Sequence, residues 1–196
     1  MADTKQSNLE FWNKVQASDP KTVKEVKLGR KFNTVNAHAQ VKRATEMWGM
    51  FGKGWGVRNE AFTMLEPGLL LYEAELFYPD GKFEISSSIT THFSSGKLDD
   101  ECVKKVATDA LTKGLSKVGF NADIFLGMWE DNRYVSALKE QSEKVDQGEI
   151  MKQLETATEK SQIEAIWRNN VPLQKNPEFV EAVKAAGARV KETADG

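Results

Sequence analysis

Residues 68–90 read GLLLYEAELFYPDGKFEISSSIT, and this stretch decides the expected fold. Two runs rich in aromatic and β-branched residues flank the tetrapeptide YPDG at residues 78–81. A proline that presets φ and a glycine that accepts a strained conformation are typical of a tight turn, so the sequence predicts an antiparallel hairpin. The run before it, GWGVRNEAFTML, has the same character and predicts a third strand of one antiparallel meander.

Helical periodicity flanks this meander on both sides. Apolar or small residues recur at helical spacing from Asn36 to about Met50, which predicts the first long helix. Residues 99–118 predict a second, with Asp99 as its N-cap. Its apolar stripe consists of Val103, Val106, Ala107, Ala110, Leu111, Gly114, Leu115 and Val118. The expected fold class is α+β, with a helix, a three-stranded antiparallel meander and a long helix packed on the sheet.

The rest of the chain divides at a region of low apolar density. A short amphipathic helix begins the chain, and a basic, irregular stretch follows it from about residue 20. Residues 140–149 are poor in apolar side chains and predict a linker, after which three helical segments follow. We therefore expect a main domain over residues 1–145 and a small helical C-terminal unit over residues 149–196.

Composition excludes several classes of protein. The chain has 196 residues, a net charge of −2 and one cysteine, Cys102, which excludes a disulfide framework. No apolar run approaches the roughly 18 residues that a membrane helix requires, and the start lacks the pattern of a signal peptide. We expect a cytoplasmic protein without a membrane partner, in which Cys102 is a small buried hydrophobic residue.

Charge is distributed unevenly along the chain. Residues 20–60 contain nine Lys and Arg against three acids, and residues 61–101 contain two against eight. Such segregation can create a basic and an acidic face on one molecule, which suits an anionic ligand or subunits that pack head to tail. The alternative is two solvated surfaces that balance by chance.

The glycine-rich stretch GMFGKGWGV, residues 49–57, does not match a nucleotide site. Loops that hold phosphate follow a strand and open a helix, whereas these glycines end a helix and enter a strand. Gly49 and Gly52 are better explained as a helix C-cap and a tight turn. His38 and His92 lack acid or cysteine partners at metal spacing. We expect no catalytic residue, no metal site and no cofactor.

The polar side of the 99–118 helix has the residue types that contact phosphate. Lys105, Asp109, Lys113 and Lys117 follow one another at every fourth position, with Lys104, Thr108, Thr112 and Ser116 alongside. Lysines and hydroxyls on one rigid face make good phosphate contacts. An ordinary solvated helix face is the alternative.

Two motifs, in this order, resemble those of a known family. EMWGMFGKGW at residues 46–55 precedes the predicted strands, and TDALTKGLSKVGF at residues 108–120 follows them, continuing into NADIFLG and DNRYV. This arrangement, over roughly residues 28–138, is similar to the single-strand annealing superfamily. That group includes the phage ERF-type recombinases and the eukaryotic mediator usually written as Rad-fifty-two.

The resemblance implies an ATP-independent protein that forms rings or helical filaments, binds single-stranded DNA in a basic groove and pairs complementary strands. It implies that the groove includes Lys113, with Lys104 or Lys105 one to two turns earlier, and Arg30 or Lys31 just before the first helix. Lys117 stands one position beyond another basic site of the family. Thr112 and Ser116 stand where relatives have Lys or Arg, so hydroxyls replace charges there. Lys42 and Arg43, on the outer side of the first helix, complete the candidate set.

The expected function is annealing of complementary DNA strands in phage-type homologous recombination, in the cytoplasm of a bacterial host. A single-strand-binding protein that does not anneal and a structural assembly protein are the alternatives. The C-terminal unit either packs on the main domain or, as the resemblance implies, engages the host single-strand-binding protein or a phage exonuclease. Trp48 and Trp55 are expected in the core rather than stacked on bases, and Phe51 fits either role.

Overall fold

The structure, a computed structural model, describes residues 2–28 and 30–194 and has the α+β class expected from the sequence. Its helices are α1 (Ala2–Val15), α2 (Ala37–Trp48), α3 (Cys102–Lys117), α4 (Ala122–Phe125), α5 (Asn132–Thr156), α6 (Lys160–Asn169) and α7 (Pro177–Ala194). Its strands are β1 (Val23–Leu28), β2 (Arg30–Val35), β3 (Gly56–Glu66), β4 (Leu69–Tyr78) and β5 (Gly81–Thr90). Three short 3-10 turns cover Pro20–Thr22, Met128–Glu130 and Val171–Lys175.

The predicted antiparallel meander is confirmed. The strands lie in the order β3-β4-β5, and Tyr78 pairs with Gly81 across the turn between β4 and β5. Successive side chains of a strand point to opposite faces, so Leu70, Tyr72, Ala74 and Leu76 of β4 share one face. All four are buried, and they form the sheet side of the main core.

Helix α3 packs on this face, against β4 and β5. It runs antiparallel to β5, because Ser87 bonds to Asp109 while Ile85 lies beside Gly114. A Cβ atom at position 114 would lie 2.7 Å from Cγ2 of Ile85. Glycine at this position therefore sets how closely the helix approaches the strand.

Two details of α3 differ from the sequence prediction. Val103 is 49% exposed, and the buried row runs instead through Cys102, Val106, Ala110 and Gly114 at every fourth residue. A straight helix places residues four apart on the same side, so Cys102 takes the place predicted for Val103. Cys102 is buried, as predicted.

The prediction that Asp99 is the N-cap of α3 is wrong. The helix begins at Cys102, and Glu101 occupies the cap position. The cause is a turn that precedes the helix, closed by the Cys102 amide, which donates to the Asp99 carbonyl oxygen at 3.1 Å. The Asp99 carboxylate instead accepts from the Glu101 amide at 3.2 Å and binds Lys105.

The glycine-rich stretch turns the chain from α2 into β3, as predicted. Gly49 ends α2 with φ at 88°, and its amide donates to the carbonyl of Thr45. A Cβ atom on Gly54 would lie 1.8 Å from the carbonyl oxygen of Trp48, so the turn requires glycine there. Trp55 is fully buried, which confirms it as a core residue. Trp48 is partly buried and packs against the core, stacked on Phe11 with ring centroids 5.5 Å apart.

The basic stretch after α1 is not irregular as predicted. It contains an antiparallel hairpin of β1 and β2, in register from Val23 opposite Val35 to Leu28 opposite Arg30. In VKEVKL the apolar residues stand three and then two positions apart, and each face of the strand includes a lysine. The stretch therefore lacks the clean period-two alternation by which a sequence indicates a strand.

The chain divides into two compact units, with the boundary in the sequence between Val135 and Ser136. In the second unit, Leu154, Ile163 and Phe179 form a separate small core, and Trp167 stacks on Phe179 with ring centroids 5.7 Å apart. The predicted linker, residues 140–149, lies inside α5, so its low apolar density reflects exposed helix. No helix in residues 2–28 and 30–194 has the length and apolar character needed to cross a bilayer.

Candidate nucleic-acid interface

Lys105, Lys113 and Lys117 form a row along one side of α3, near β5, and Lys104 lies about 100° around the helix from Lys105. Lys105 lies over the ring of Phe93, with its Nζ 5.3 Å from the ring centroid, and Lys117 lies over Phe83 at 5.9 Å. Lys113 stands one turn before Lys117 and is exposed. Because α3 packs on β4 and β5 through its buried residues, the backbone positions of these lysines are fixed near the strand.

Three of the four lysines are paired with carboxylates of the same segment. Lys105 Nζ lies 2.7 Å and 2.9 Å from the two carboxylate oxygens of Asp99. Lys104 binds Glu101, the residue three positions earlier. Lys113 Nζ lies 2.7 Å from Oδ2 of Asp109. The sequence shows the lysines, but of these pairings it indicates only that of Lys113 with Asp109, four positions earlier.

The pair of Lys105 and Asp99 shifts the pKa of each partner in the direction that keeps it charged. Hydrogen bonding by Lys105 lowers the pKa of Asp99, and the Asp99 carboxylate raises the pKa of Lys105. Hydrogen bonding by Lys104 lowers the pKa of Glu101. At neutral pH Asp99, Glu101 and Lys105 are therefore charged.

The two hydroxyl candidates bond within their own helix. Thr112 Oγ1 donates to the Asp109 carbonyl at 3.0 Å, and Ser116 Oγ donates to the Lys113 carbonyl at 2.7 Å. A hydroxyl has one proton to donate, so either side chain would have to rotate before it could donate to a phosphate oxygen. They are weaker phosphate contacts than the lysines beside them.

Lys42 and Arg43 belong to a separate cluster on α2. Both lie near the Glu46 carboxylate, at 3.5 Å and 3.4 Å respectively. Arg43 also donates to the carbonyl oxygen of Lys14 at 3.2 Å, which directs it to the end of α1. Helix α2 itself packs on α3, and the amide of Gln40 donates to the Phe120 carbonyl at 3.0 Å.

The hairpin carries the remaining basic candidates. Lys31 and its register partner Lys27 both lie near Glu25, at 3.4 Å and 3.7 Å. Arg30 begins β2, but its side chain lies outside the described residues. Lys24 and Lys27 were missed as candidates because the hairpin itself was not recognised.

The aromatic side chains near the glycine turn have different accessibility. Trp55 is fully buried, so it is not available to stack on a base in this structure. Phe51 is 44% exposed, and its ring meets Trp55 edge-on with centroids 4.9 Å apart. Phe51 is therefore the aromatic of this turn that remains open to a ligand.

The motifs NADIFLG and DNRYV are joined by a buried carboxylate, that of Asp123. Asp123 accepts hydrogen bonds from the Ser18 hydroxyl at 2.6 Å, the Trp129 ring nitrogen at 2.8 Å and the Tyr134 hydroxyl at 2.9 Å. Burial, together with the bond to Asp123, raises the pKa of Tyr134. This network holds the chain after α1 to the segment after α3, and its role is structural. Ser18 is 105 residues from Asp123, so no sequence spacing indicates the contact.

Residues 2–28 and 30–194 contain no group of three His, Cys, Asp or Glu side chains placed to hold a metal ion. No protein-family model matches this sequence. The comparison with curated proteins finds no match either.

Proposed function

We propose that this protein binds single-stranded DNA through its phosphates and anneals complementary strands in phage-type recombination, without ATP. The row of Lys105, Lys113 and Lys117 on α3 carries this proposal, since one helix side presents three cations near the sheet. Lys104, about 100° around the helix from Lys105, is proposed as a further contact. The resemblance of residues 46–55 and 108–120 to the single-strand annealing superfamily supports it. Thr112, Ser116, Lys42, Arg43, Arg30 and Lys31 are proposed as flanking contacts.

Annealing places a particular demand on such a site. Each strand has to be held by its backbone, so that its bases remain free to find their complement. Lysine is suited to this, because it contacts phosphate without reading sequence. The resulting affinity falls steeply with salt, since each phosphate contact releases a counterion.

The ion pair of Lys113 with Asp109 is compatible with phosphate binding. The Lys113 and Asp109 side chains are both substantially exposed. Exposed ion pairs contribute little to stability, so a phosphate can replace the carboxylate as the partner of the ammonium group. Lys105 differs, because its partner Asp99 is buried and holds it in place.

We further propose that the protein acts as a homo-oligomer, a ring or a filament, in the cytoplasm of a bacterial host, with no catalytic centre and no cofactor. The uneven charge along the chain supports head-to-tail contacts between copies.

Residues 149–196 are proposed to bind the host single-strand-binding protein or a phage exonuclease. An apolar groove of about 460 Å³ between α6 and α7 supports this, since Ile163, Trp167, Val180 and Val183 line it. Arg168 and Lys184 also lie at the groove. A chain ending at residue 148 should still anneal DNA and should lose binding of the purified partner. Loss of annealing itself would instead assign these residues to the DNA-binding domain.

Two complementary oligonucleotides mixed with the protein, without ATP or magnesium, test the proposal. Faster pairing than in buffer is the expected result. Slower pairing would indicate a coating single-strand-binding protein, and no effect would favour a structural assembly protein. Pairing followed by fluorescence quenching between end labels separates the three outcomes in one titration.

A further inference from the structure

Strand β3 leaves apolar side chains uncovered. It is an edge strand of the three-stranded sheet, and its last nine residues are exposed. Phe62 and Met64 are 45% and 55% exposed, although their register partners on β4, Tyr72 and Leu70, are buried. Helix α3 covers β4 and β5, so the apolar face of the sheet extends beyond the helix.

The uncovered face of this strand also carries a carboxylate. Glu60, two residues before Phe62, is exposed, and its carboxylate accepts the Tyr72 hydroxyl at 2.7 Å on this face. Glu66 pairs with Leu69 on the opposite face of the sheet, and Leu65 lies in the bulge between Met64 and Glu66. We call Phe62, Met64 and Glu60 the β3 surface. Long exposed apolar edge strands pair readily with another chain, and natural proteins cover them or break them with charge. A partner with an apolar centre and positive charge fits the β3 surface.

The hairpin of the same chain has those properties. Val26 and Phe32 are register partners, so their side chains share a face, and Phe32 is 41% exposed. Lys24, two residues before Val26, lies on that face. We call Lys24, Val26 and Phe32 the hairpin surface. Lys31 is one residue from Phe32 and lies on the opposite face, so it remains available to DNA.

We propose that the hairpin surface of one copy docks on the β3 surface of a second copy. The two surfaces are unlike and complementary in charge, and each is carried by every copy. Such a heterologous contact leaves one surface of each kind free at the ends, so further copies add until a ring closes or a filament grows. This proposal rests on the homo-oligomer included in the proposed function, and it identifies the two surfaces through which the copies bind.

Mixing two variants tests this contact. The β3 variant carries Met64→Ser with Glu60→Lys, and the hairpin variant carries Phe32→Ser with Lys24→Glu. Each variant alone is expected to be a monomer, because one of its two surfaces is lost. An equimolar mixture is expected to form a heterodimer and nothing larger, since it contains one intact pair of surfaces. Mass is measured by analytical ultracentrifugation.

The control variant replaces an exposed valine and glutamate on α5, Val145→Ser with Glu149→Lys, and is expected to assemble like the unaltered chain. Assembly of the β3 variant alone would overturn the proposal. Assembly of the hairpin variant alone would also overturn it, because β3 would then pair with itself. The single substitutions Met64→Ser and Lys24→Glu repeat the mixing test with less disturbance of either sheet.

Oligonucleotide binding in dilute buffer separates this contact from the DNA-binding proposal. If the protein assembles but does not bind single-stranded DNA, the contact is supported and the DNA-binding proposal is refuted. A chain that binds single-stranded DNA and stays monomeric refutes the contact alone.

Discussion

Lys113 Nζ donates a hydrogen bond of 2.7 Å to Oδ2 of Asp109, in the middle of the lysine row of α3. The same oxygen accepts a hydrogen bond from the Ser87 hydroxyl of β5. Asp109 is therefore bound to the same ammonium group that, in the proposed function, binds a DNA phosphate. A carboxylate in this position competes with the ligand, because both are anions with oxygen acceptors.

Replacing Asp109 by asparagine is expected to strengthen binding of single-stranded DNA. The amide oxygen can still accept the Ser87 hydroxyl, while the negative charge that competes for Lys113 is removed. The gain is about fivefold at most, since an exposed ion pair is worth up to about 1 kcal/mol. Fluorescence anisotropy with a labelled oligonucleotide measures the affinity. Glu143→Gln on α5 makes the same change in net charge, and equal gains in both variants would refute a local role for Asp109.

Replacing Lys113 and Lys117 together by alanine is expected to weaken binding of every oligonucleotide sequence alike. The dependence of log affinity on log salt should flatten by about 1.4, since each phosphate contact to a single strand contributes about 0.7. The control is Lys144→Ala with Lys152→Ala on α5, which removes the same charge. If the two double variants bind equally, the phosphate contacts lie elsewhere.

Replacing Asp123 by alanine is expected to lower the free energy of unfolding by at least about 3 kcal/mol. Three side-chain donors, on Ser18, Trp129 and Tyr134, would lose their shared acceptor in a buried place. Urea unfolding followed by tryptophan fluorescence measures the loss. Asp100→Ala, at an exposed position before α3, should change stability by less than about 0.5 kcal/mol. Comparable effects of the two substitutions would contradict a special role for the Asp123 network.

Glu75 is expected to contribute to acid sensitivity. Lys82, at 2.8 Å, and Arg58 lower the pKa of this buried carboxyl below its ordinary value of 4.5. A group with a lowered pKa in the folded state stabilises the fold above its unfolded pKa, and the stabilisation is lost as pH falls through the folded pKa. The stability difference between the unaltered chain and Glu75→Gln should therefore be largest near neutral pH and shrink below about pH 4.5. A difference independent of pH would show that charge at Glu75 is unimportant.

Replacing Gly114 by alanine is expected to destabilise the protein by about 1–3 kcal/mol, the typical cost of overpacking a core. The new methyl group would lie 2.7 Å from Ile85 and force α3 away from β5. At Gly148, in α5, a Cβ atom would meet no neighbour within 4 Å, so Gly148→Ala should instead stabilise its helix by about 1 kcal/mol. Opposite signs in thermal unfolding identify close packing, and not helix propensity, as the reason for glycine at position 114.

The sequence alone determined the local order of this protein. The turn YPDG and the period-two runs around it specified the meander, and the row of Val106, Ala110 and Gly114 specified the buried side of α3, because both patterns act over a few residues. Only the tertiary structure decided which charges meet. The contact of Asp123 with Ser18 joins residues 105 positions apart, and the exposure of Phe62 depends on how far α3 extends over the sheet. Such contacts and exposures depend on how distant segments pack together, and a local sequence pattern does not predict that packing.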